Sequence, residues 1–158
     1  MQGVAMLVLD AARLLERAPV SFELLPHAET ETAVAEANAL GLSPAEVAKT
    51  VVLRTPAGYV RAVLPASERL DLRKVRAILG KRIELASEED LERDYEGFEL
   101  GAIPPFAGAH RDPVLVDRRL AERESIVLET GSRTESVRML TGDLVWLTRA
   151  KVVDICEE

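Results

Sequence analysis

Residues 41–64 read GLSPAEVAKTVVLRTPAGYVRAVL, and this stretch decides the fold. Its SPAE segment at 43–46 is a helix-start signal, because serine caps the helix, proline suits its first turn and glutamate bonds back to the cap. Two apolar, β-branched runs follow, at 49–54 and 59–64, on either side of a turn at 55–58 that contains proline and glycine. The arrangement predicts a brief helix that leads directly into a β-hairpin.

The same punctuation continues outward from the hairpin. On the amino-terminal side it predicts a helix capped by Asp10 that runs to Arg17, a strand over 20–24 that ends at Pro26, and a helix from Thr30 that Gly41 closes. On the carboxyl-terminal side, capping and turn residues predict a helix from Asp71 to Leu79, a strand over 81–85 and a helix after Ser87. Strands over 114–116 and 126–128 are predicted around a short helix at Leu120. A strand over 136–140, a helix from Thr141 and a strand over 152–155 follow. Helices and strands interleave without a regular βαβ rhythm, so we expect an α+β fold with short helices around a mixed sheet, as a single domain over residues 1–158.

Composition narrows the class of protein. The chain is 47% hydrophobic and 30% charged, which is typical of a globular domain. The lone Cys156 permits neither an intrachain disulfide nor a thiolate zinc site, which suits a reducing cytoplasm. The apolar run at 4–9 lacks a basic start and a cleavage signal, so it does not resemble an export sequence. No apolar stretch approaches the roughly 20 residues of a membrane span, and we expect a cytoplasmic protein without a membrane partner.

The net charge of −7 argues against broad, non-specific binding to DNA or RNA. Eight acids and one base lie within residues 84–99, a run that is typical of a solvated helical face. Because this run accounts for the whole net charge, a locally basic patch stays open elsewhere, over 73–82 or at Arg118 and Arg119.

Several kinds of site are excluded or unsupported. The sequence has no phosphate-binding P-loop, no dinucleotide-binding glycine motif and no serine nucleophile elbow. His27 and His110 lie far apart without nearby cysteines, so we expect no metal and no cofactor. A Ser-His-Asp triad stays open, because its members need not be neighbours in sequence, although nothing supports one.

Lys49 stands out among the basic residues. The chain has 16 arginines and four lysines, and this lysine lies where a helix passes into an apolar strand. A lysine held there could be partly desolvated and present a mobile positive charge to a phosphate or a developing oxyanion. The ordinary alternative is a lysine whose stem packs on the strand while its ammonium stays in water, and the residues alone leave both open.

The segment 101–108 is the second candidate. Its glycines let the backbone approach a ligand closely, and its prolines stiffen the loop, so it could present a preformed wall of carbonyl and amide groups. An ordinary surface connection has the same composition. His27, directly after Pro26, is either a site residue or a polar residue at a strand end.

Together these segments resemble the YbaK family, which includes the editing insertion domain of bacterial prolyl-tRNA synthetase and its free-standing relatives. The resemblance covers nearly the whole chain, and its ordered combination of segments is specific although no single one is. The segments that carry it are 20–23 with Pro26-His27, 41–50, 70–75, 77–80, 101–105, Gly131 with Arg133, and 142–144.

The resemblance implies a mixed, curved sheet and a site built around Lys49, the essential lysine that holds the terminal phosphate-ribose of an aminoacyl-tRNA. It implies a GxxxP loop whose backbone lies against the ester, the amine and the ribose hydroxyls, with His27 at the pocket rim. Hydrolysis would use positioning and the ribose hydroxyl of the tRNA, without a metal. The further substrate-binding positions would be Thr50, Gly101, Ala102, Ile103, Pro105 and Gly131.

The implied function is that of a trans-editing hydrolase that deacylates a mischarged tRNA, and we expect tRNA(Pro) carrying a small non-cognate amino acid such as alanine. Cysteine-specific members carry a serine and an aspartate in the segment where this chain has Glu129 and Ser136, so a cysteine-selective mechanism is not carried over. Acidity favours delivery of the substrate by prolyl-tRNA synthetase or an elongation factor. The alternatives are a non-catalytic module that binds a tRNA end or a synthetase, and a structural domain.

Overall fold

The structure is a computed structural model that describes residues 11–158. Its six α-helices are α1 (Ala11–Arg17), α2 (Ala33–Leu40), α3 (Leu72–Leu79), α4 (Glu88–Asp94), α5 (Arg118–Ala121) and α6 (Thr141–Thr148), and a 3-10 helix spans Pro44–Glu46. The strands of this range are β1 (Phe22–Pro26), β2 (Ala48–Thr55), β3 (Gly58–Pro65), β4 (Glu84–Leu85), β5 (Val114–Asp117), β6 (Ser125–Glu129), β7 (Glu135–Leu140) and β8 (Lys151–Val153). No helix of the described range is long and apolar enough to cross a membrane.

The strands form two sheets. The larger has the order β4-β2-β3-β5-β8, with antiparallel pairs around β2 and parallel pairs around β5. The smaller has the order β1-β7-β6 and is antiparallel throughout. A single parallel bridge between Val47 and Val127 joins them. The predicted α+β class with mixed strand directions is confirmed, and the strands are divided between two sheets instead of forming one.

The predicted hairpin and the helix before it are both present. Ser43 and Glu46 form the capping box of the 3-10 helix, and the hairpin closes with Thr55 opposite Gly58. Most of the other predicted elements also lie where the sequence placed them. The Asp10 cap and the apolar run at 4–9 lie outside the described residues.

Four predicted boundaries differ from the structure. The strand predicted over 20–24 spans Phe22–Pro26 and so includes Pro26. Helix α2 begins at Ala33, because the hydroxyl of Thr32 accepts a hydrogen bond from the N–H of Ala35 and caps the helix, while the N–H of Thr30 donates to the carbonyl of Arg133 at 2.9 Å. The strand predicted over 81–85 pairs only at Glu84–Leu85. The last strand ends at Val153, because the N–H of Ile155 turns away to the carboxylate of Asp117 at 3.0 Å.

The two faces of the smaller sheet have different surroundings. Alternate residues of β6 and β7 point into the core between the sheets, where Ile126, Leu128, Val137 and Met139 pack on Ala48, Val63 and Val114. The opposite face lies under α2, where Val127 packs with Ala33, Ala37 and Val47. The outer face of the larger sheet is covered by α3 through Val75. Residues 129 and 136 therefore belong to the α2 side, because side chains alternate along a strand.

Replacement of Leu128 by alanine tests the core between the sheets. Leu128 is fully buried, so we expect Leu128→Ala to lower the free energy of unfolding by about 2–5 kcal/mol. Urea unfolding measures the change. Leu85→Ala is the control, because this leucine is 56% exposed and its truncation should cost far less. Equal losses in the two variants would contradict the packing described.

Candidate active site at the junction of the two sheets

A gap in strand pairing marks the junction. The edge of β2 that faces away from β3 meets β6 through the Val47 bridge and meets β4 at Leu53 and Arg54. Between these two points the strand has no continuous partner. The backbone N–H of Thr50 faces the carboxyl group of Glu129 across this gap. A backbone amide, a lysine and a buried carboxyl group are thus brought together where the two sheets separate.

Glu129, the last residue of β6, is the most unusual side chain of the junction. It is 5% exposed, and its Oε1 has no hydrogen-bond partner among residues 11–158. Burial raises the pKa of Glu129 well above its ordinary value, and the nearby carboxyl group of Glu36 raises it further. The amide of Thr50 and the ammonium of Lys49 act in the opposite direction but more weakly. The carboxyl group is therefore held toward its neutral form.

Lys49 lies on β2, close to Glu129 of β6, and is half-buried. Within the described residues its ammonium makes no hydrogen bond and no salt bridge. Burial lowers the pKa of Lys49 and the cation of Arg69 lowers it further, whereas the acidic groups of Cys156, Glu129 and Glu68 oppose the change. The result is a poorly solvated, unpaired positive charge, which an anionic ligand can satisfy.

A chain of hydrogen bonds approaches Glu129 from the other side. Ser136 of β7 lies directly opposite Glu129 and is fully buried. Its hydroxyl donates to the carboxyl group of Glu36 on α2, and the Nε2 of His27 lies 2.9 Å from the same hydroxyl oxygen. The Nδ1 of His27 lies 2.7 Å from the carbonyl oxygen of Ala28. Burial raises the pKa of Glu36, although the hydrogen bond from Ser136 and the charge of His27 oppose the shift.

These contacts do not make a hydrolytic triad. Ser136 is inaccessible to a substrate, and its hydroxyl is bonded to Glu36. The far nitrogen of His27 faces a backbone carbonyl instead of the carboxylate that a triad requires. His27, Ser136 and Glu36 therefore surround the junction without supplying a serine nucleophile.

Two hydrogen bonds and one close backbone contact hold three segments together at one end of the junction. The N–H of Glu99 donates to the carbonyl of Gly131 at 2.7 Å, and the Nε of Arg133 donates to the carbonyl of Leu100 at 2.9 Å. Gly101 has a φ of +81°, and a Cβ there would lie 2.2 Å from the carbonyl oxygen of Glu31. Only glycine allows the loop, the β6–β7 turn and the segment before α2 to approach so closely.

The rest of the predicted loop faces other parts of the molecule. Ala102 is buried, and Ile103 packs against Val52 and Tyr95. Pro105 lines a separate cavity of about 650 Å³ between the loop, α1 and α6. The structure thus brings His27, Lys49, Thr50, Gly101 and Gly131 to the junction, whereas Ile103 and Pro105 face the core and this second cavity.

The model of the aminoacyl-tRNA editing domain family matches residues 27–147. The chain belongs to this family. The Ser/Thr-tRNA deacylase ProXp-y of Escherichia coli is 26% identical over 147 residues, which are 89% of this chain and 87% of that protein. A protein of Enterococcus faecalis, EbsC, provisionally named a Cys-tRNA(Pro)/Cys-tRNA(Cys) deacylase, is 25% identical over 92% of each chain.

A solved structure has the same fold as this editing domain. A protein provisionally described as a trans-editing enzyme for prolyl-tRNA synthetase superposes with a TM-score of 0.79, at 25% identity over 87% of both chains. The predicted family and the predicted class of activity, aminoacyl-tRNA deacylation, are confirmed.

Two groups that anchor the editing domain were missed from the sequence. Glu36 lies on the apolar stripe of α2 between Ala33 and Ala37, and an acid in that position could have signalled a buried polar contact. Arg61 is 1% exposed and donates to the carbonyls of Pro104 and Ala107 at 2.9 and 2.7 Å. The buried guanidinium of Arg61 holds the loop in place from the interior. The alternating pattern of its strand did not predict this contact.

The candidate basic patches are largely neutralised by acids. Lys74 contacts Asp154 and Glu158, and Arg119 contacts Asp117 and Asp154. Within residues 11–158 no group of three or more histidine, cysteine, aspartate or glutamate side chains is arranged to hold a metal ion.

Replacement of Gly101 by alanine tests the close approach of the loop. We expect Gly101→Ala to cost on the order of 1–3 kcal/mol in the free energy of unfolding, because the side chain meets Glu31 and the positive φ becomes strained. Thermal unfolding measures the loss. Gly142→Ala is the matched control, since a Cβ there meets nothing within 4 Å. An unchanged melting temperature for Gly101→Ala would rule out the approach described.

Proposed function

We propose that this editing domain, taken as one domain over residues 1–158, hydrolyses the ester between a small amino acid and a transfer RNA, without a metal ion. The observation that carries the proposal is the ammonium of Lys49, half-buried and without a partner among the described residues. An enzyme that acts at the end of a tRNA needs a positive charge for the terminal phosphate and ribose. Lys49 would supply that charge at the junction of the two sheets.

The reaction breaks the bond between the acyl carbon and the ribose oxygen, and water supplies the hydroxyl of the freed amino acid and the proton of the ribose. Of the described groups at the junction, His27 has both ring nitrogens engaged and Ser136 is buried. Neither is placed to act as a free general base. We therefore assign activation of water to the neighbouring ribose hydroxyl of the substrate, with the Gly101 loop and the Thr50 segment orienting the ester.

Alanine on tRNA(Pro) remains the substrate that we propose first. Two observations favour a second candidate, serine or threonine. The Oε1 of Glu129 lacks a hydrogen-bond partner among residues 11–158 and, once uncovered, would accept one from a substrate hydroxyl, and the ProXp-y relative is named for serine and threonine. A site that bonds a hydroxyl rejects an analogue without one by about 10⁴–10⁵-fold, whereas an apolar pocket separates a single methylene by only about 1–3 kcal/mol. The ratio of rates for alanine and serine therefore distinguishes the two candidates.

Delivery of the substrate by another protein is part of the proposal. The chain carries a net charge of −7, and several of its basic side chains already contact acids. Such a surface gives weak general attraction for a polyanion. We infer that prolyl-tRNA synthetase or an elongation factor presents the mischarged tRNA, and that the working compartment is the cytoplasm.

Deacylation of defined substrates tests the proposal. The protein is incubated with tRNA(Pro) charged in turn with alanine, serine, threonine, cysteine or proline. We expect selective ester loss from the alanine substrate, or from the serine and threonine substrates under the second candidate, and none from prolyl-tRNA(Pro). Lys49→Ala should lower kcat/KM for the preferred ester by about 10²–10³-fold, because it removes a positive charge from a partly desolvated site. Lys81→Ala is the control, since Lys81 is an exposed lysine away from the junction.

Two outcomes would contradict this assignment. Equal activity of Lys49→Ala and the unchanged protein would remove Lys49 from the site. Salt-sensitive binding of tRNA without ester loss, with a synthetase present or absent, would support the non-catalytic binding module instead.

A further inference from the structure

We propose that the hydrogen-bonded chain of His27, Ser136 and Glu36 keeps Glu129 neutral, so that Lys49 stays unpaired and available to the substrate. His27, Glu36 and Glu129 would then be positioning residues that act through Lys49. The inference rests on the proposed function for its purpose. The proton count and the electrostatics that support it are independent of activity.

The hydrogen-bonded chain of His27, Ser136 and Glu36 can be counted for protons. A carbonyl oxygen can only accept, so the Nδ1 of His27, 2.7 Å from the carbonyl of Ala28, carries a hydrogen. Ser136 has one hydroxyl hydrogen to share between two neighbours, His27 and Glu36. If it donates to Glu36, the Nε2 of His27 must also carry a hydrogen, and His27 is a cation. If it donates to His27 instead, the carboxyl group of Glu36 must be protonated to donate to the serine.

Both arrangements contain one proton more than a neutral His27 and an ionised Glu36 would have together. Without that proton, one of the two contacts of Ser136 would set lone pair against lone pair. One proton shared among these three side chains would let Ser136 make both contacts. His27 is the half-buried end of the chain and Glu36 is its buried end, 3% exposed. The proton can thus exchange with solvent at His27.

The protonation of Glu129 depends on this hydrogen-bonded chain through the charge of Glu36. Two adjacent buried carboxyl groups do not both ionise readily, because each negative charge disfavours the other. In the arrangement in which Ser136 donates to Glu36, the ionised carboxyl group of Glu36 disfavours a second negative charge on Glu129. Glu129, almost wholly buried and with Oε1 unpartnered, then keeps its own proton.

The groups that face Glu129 act in both directions. From β2, Lys49 and the amide of Thr50 face Glu129, and from α2 the carboxyl group of Glu36 faces it. Ser136 lies opposite on β7 and connects to His27. On its other side, Lys49 is surrounded by Glu68, Arg69 and Cys156. Burial and Glu36 are the larger influences on Glu129, and they favour the neutral form.

A neutral Glu129 explains the free state of Lys49. An ionised carboxylate next to a half-buried ammonium would attract it into a salt bridge, because the attraction between opposite charges strengthens in a poorly solvated site. The structure shows no salt bridge between them within the described residues. Ionisation of Glu129 would therefore compete with the phosphate or ribose for the same ammonium.

Carboxyl carbon NMR titration of the whole protein, labelled at glutamate, tests the proposal without any need for activity. The signal lost in Glu129→Gln identifies Glu129. We expect it to titrate above the ordinary carboxyl range. Glu36→Gln should move its titration to lower pH, because it removes the neighbouring negative charge that raises the pKa of Glu129. Glu122→Gln, on the exposed surface after α5, is the matched control and should leave it in place.

His27→Gln provides a second variant in case Glu36→Gln does not fold. His27 favours the ionised form of Glu36, so its loss makes Glu36 neutral more often and should also lower the pH at which Glu129 ionises. In the deacylation assay both variants should move the alkaline limb of kcat/KM to lower pH, because Glu129 then captures Lys49 earlier. A purely structural role would change stability without this shift.

The results that overturn the inference are distinct from failure of the proposed function. Titration of Glu129 in the ordinary range, or a titration that Glu36→Gln and His27→Gln leave unchanged, would refute it. An alkaline limb that stays in place in both variants would also refute it. If the unchanged protein deacylates no substrate, the proposed function fails, and the NMR titration still decides whether the chain controls Glu129.

Discussion

The single parallel bridge between Val47 and Val127 is the constraint on which the rest of the structure depends. It brings β6 to the edge of β2 for one residue and no further, while β4 takes the same edge only near its far end. Continuous pairing would have consumed the backbone groups of the intervening residues. Because the two sheets separate there, the amide of Thr50 remains available and a carboxyl group from β6 can occupy the space. The site is a consequence of incomplete strand pairing.

The local features of the fold could be predicted because their causes are local. The capping box at Ser43, the hairpin turn and the caps at Asp71 and Ser87 depend on residues within a few positions of one another. Where a distant residue intervenes, prediction was less accurate. Thr30 has the composition of a helix cap, but a carbonyl more than one hundred residues away takes its N–H and the helix starts later.

The candidate site was predictable only in part for the same reason. Composition and position singled out Lys49 and the glycine-containing loop, and the resemblance to the YbaK family implied that both bind the substrate. The pairing of residue 129 with residue 136 follows from the β6–β7 register, and their approach to Glu36 follows from how α2 packs. Neither fact is written in any short stretch of sequence. Arg61 shows the same limit, because an arginine on a strand is normally exposed and this one supports a loop from inside.

The two-sided environment of the smaller sheet has an evolutionary consequence. Leu128 and Val137 belong to the core between the sheets, whereas Glu129 and Ser136, their immediate neighbours in sequence, belong to the side that faces α2. Mutations at 129 and 136 can therefore alter the polarity of the site while the main core keeps its packing. Under the proposed function, this cross-strand row is where we expect domains of different amino-acid preference to differ, on a scaffold with the same core.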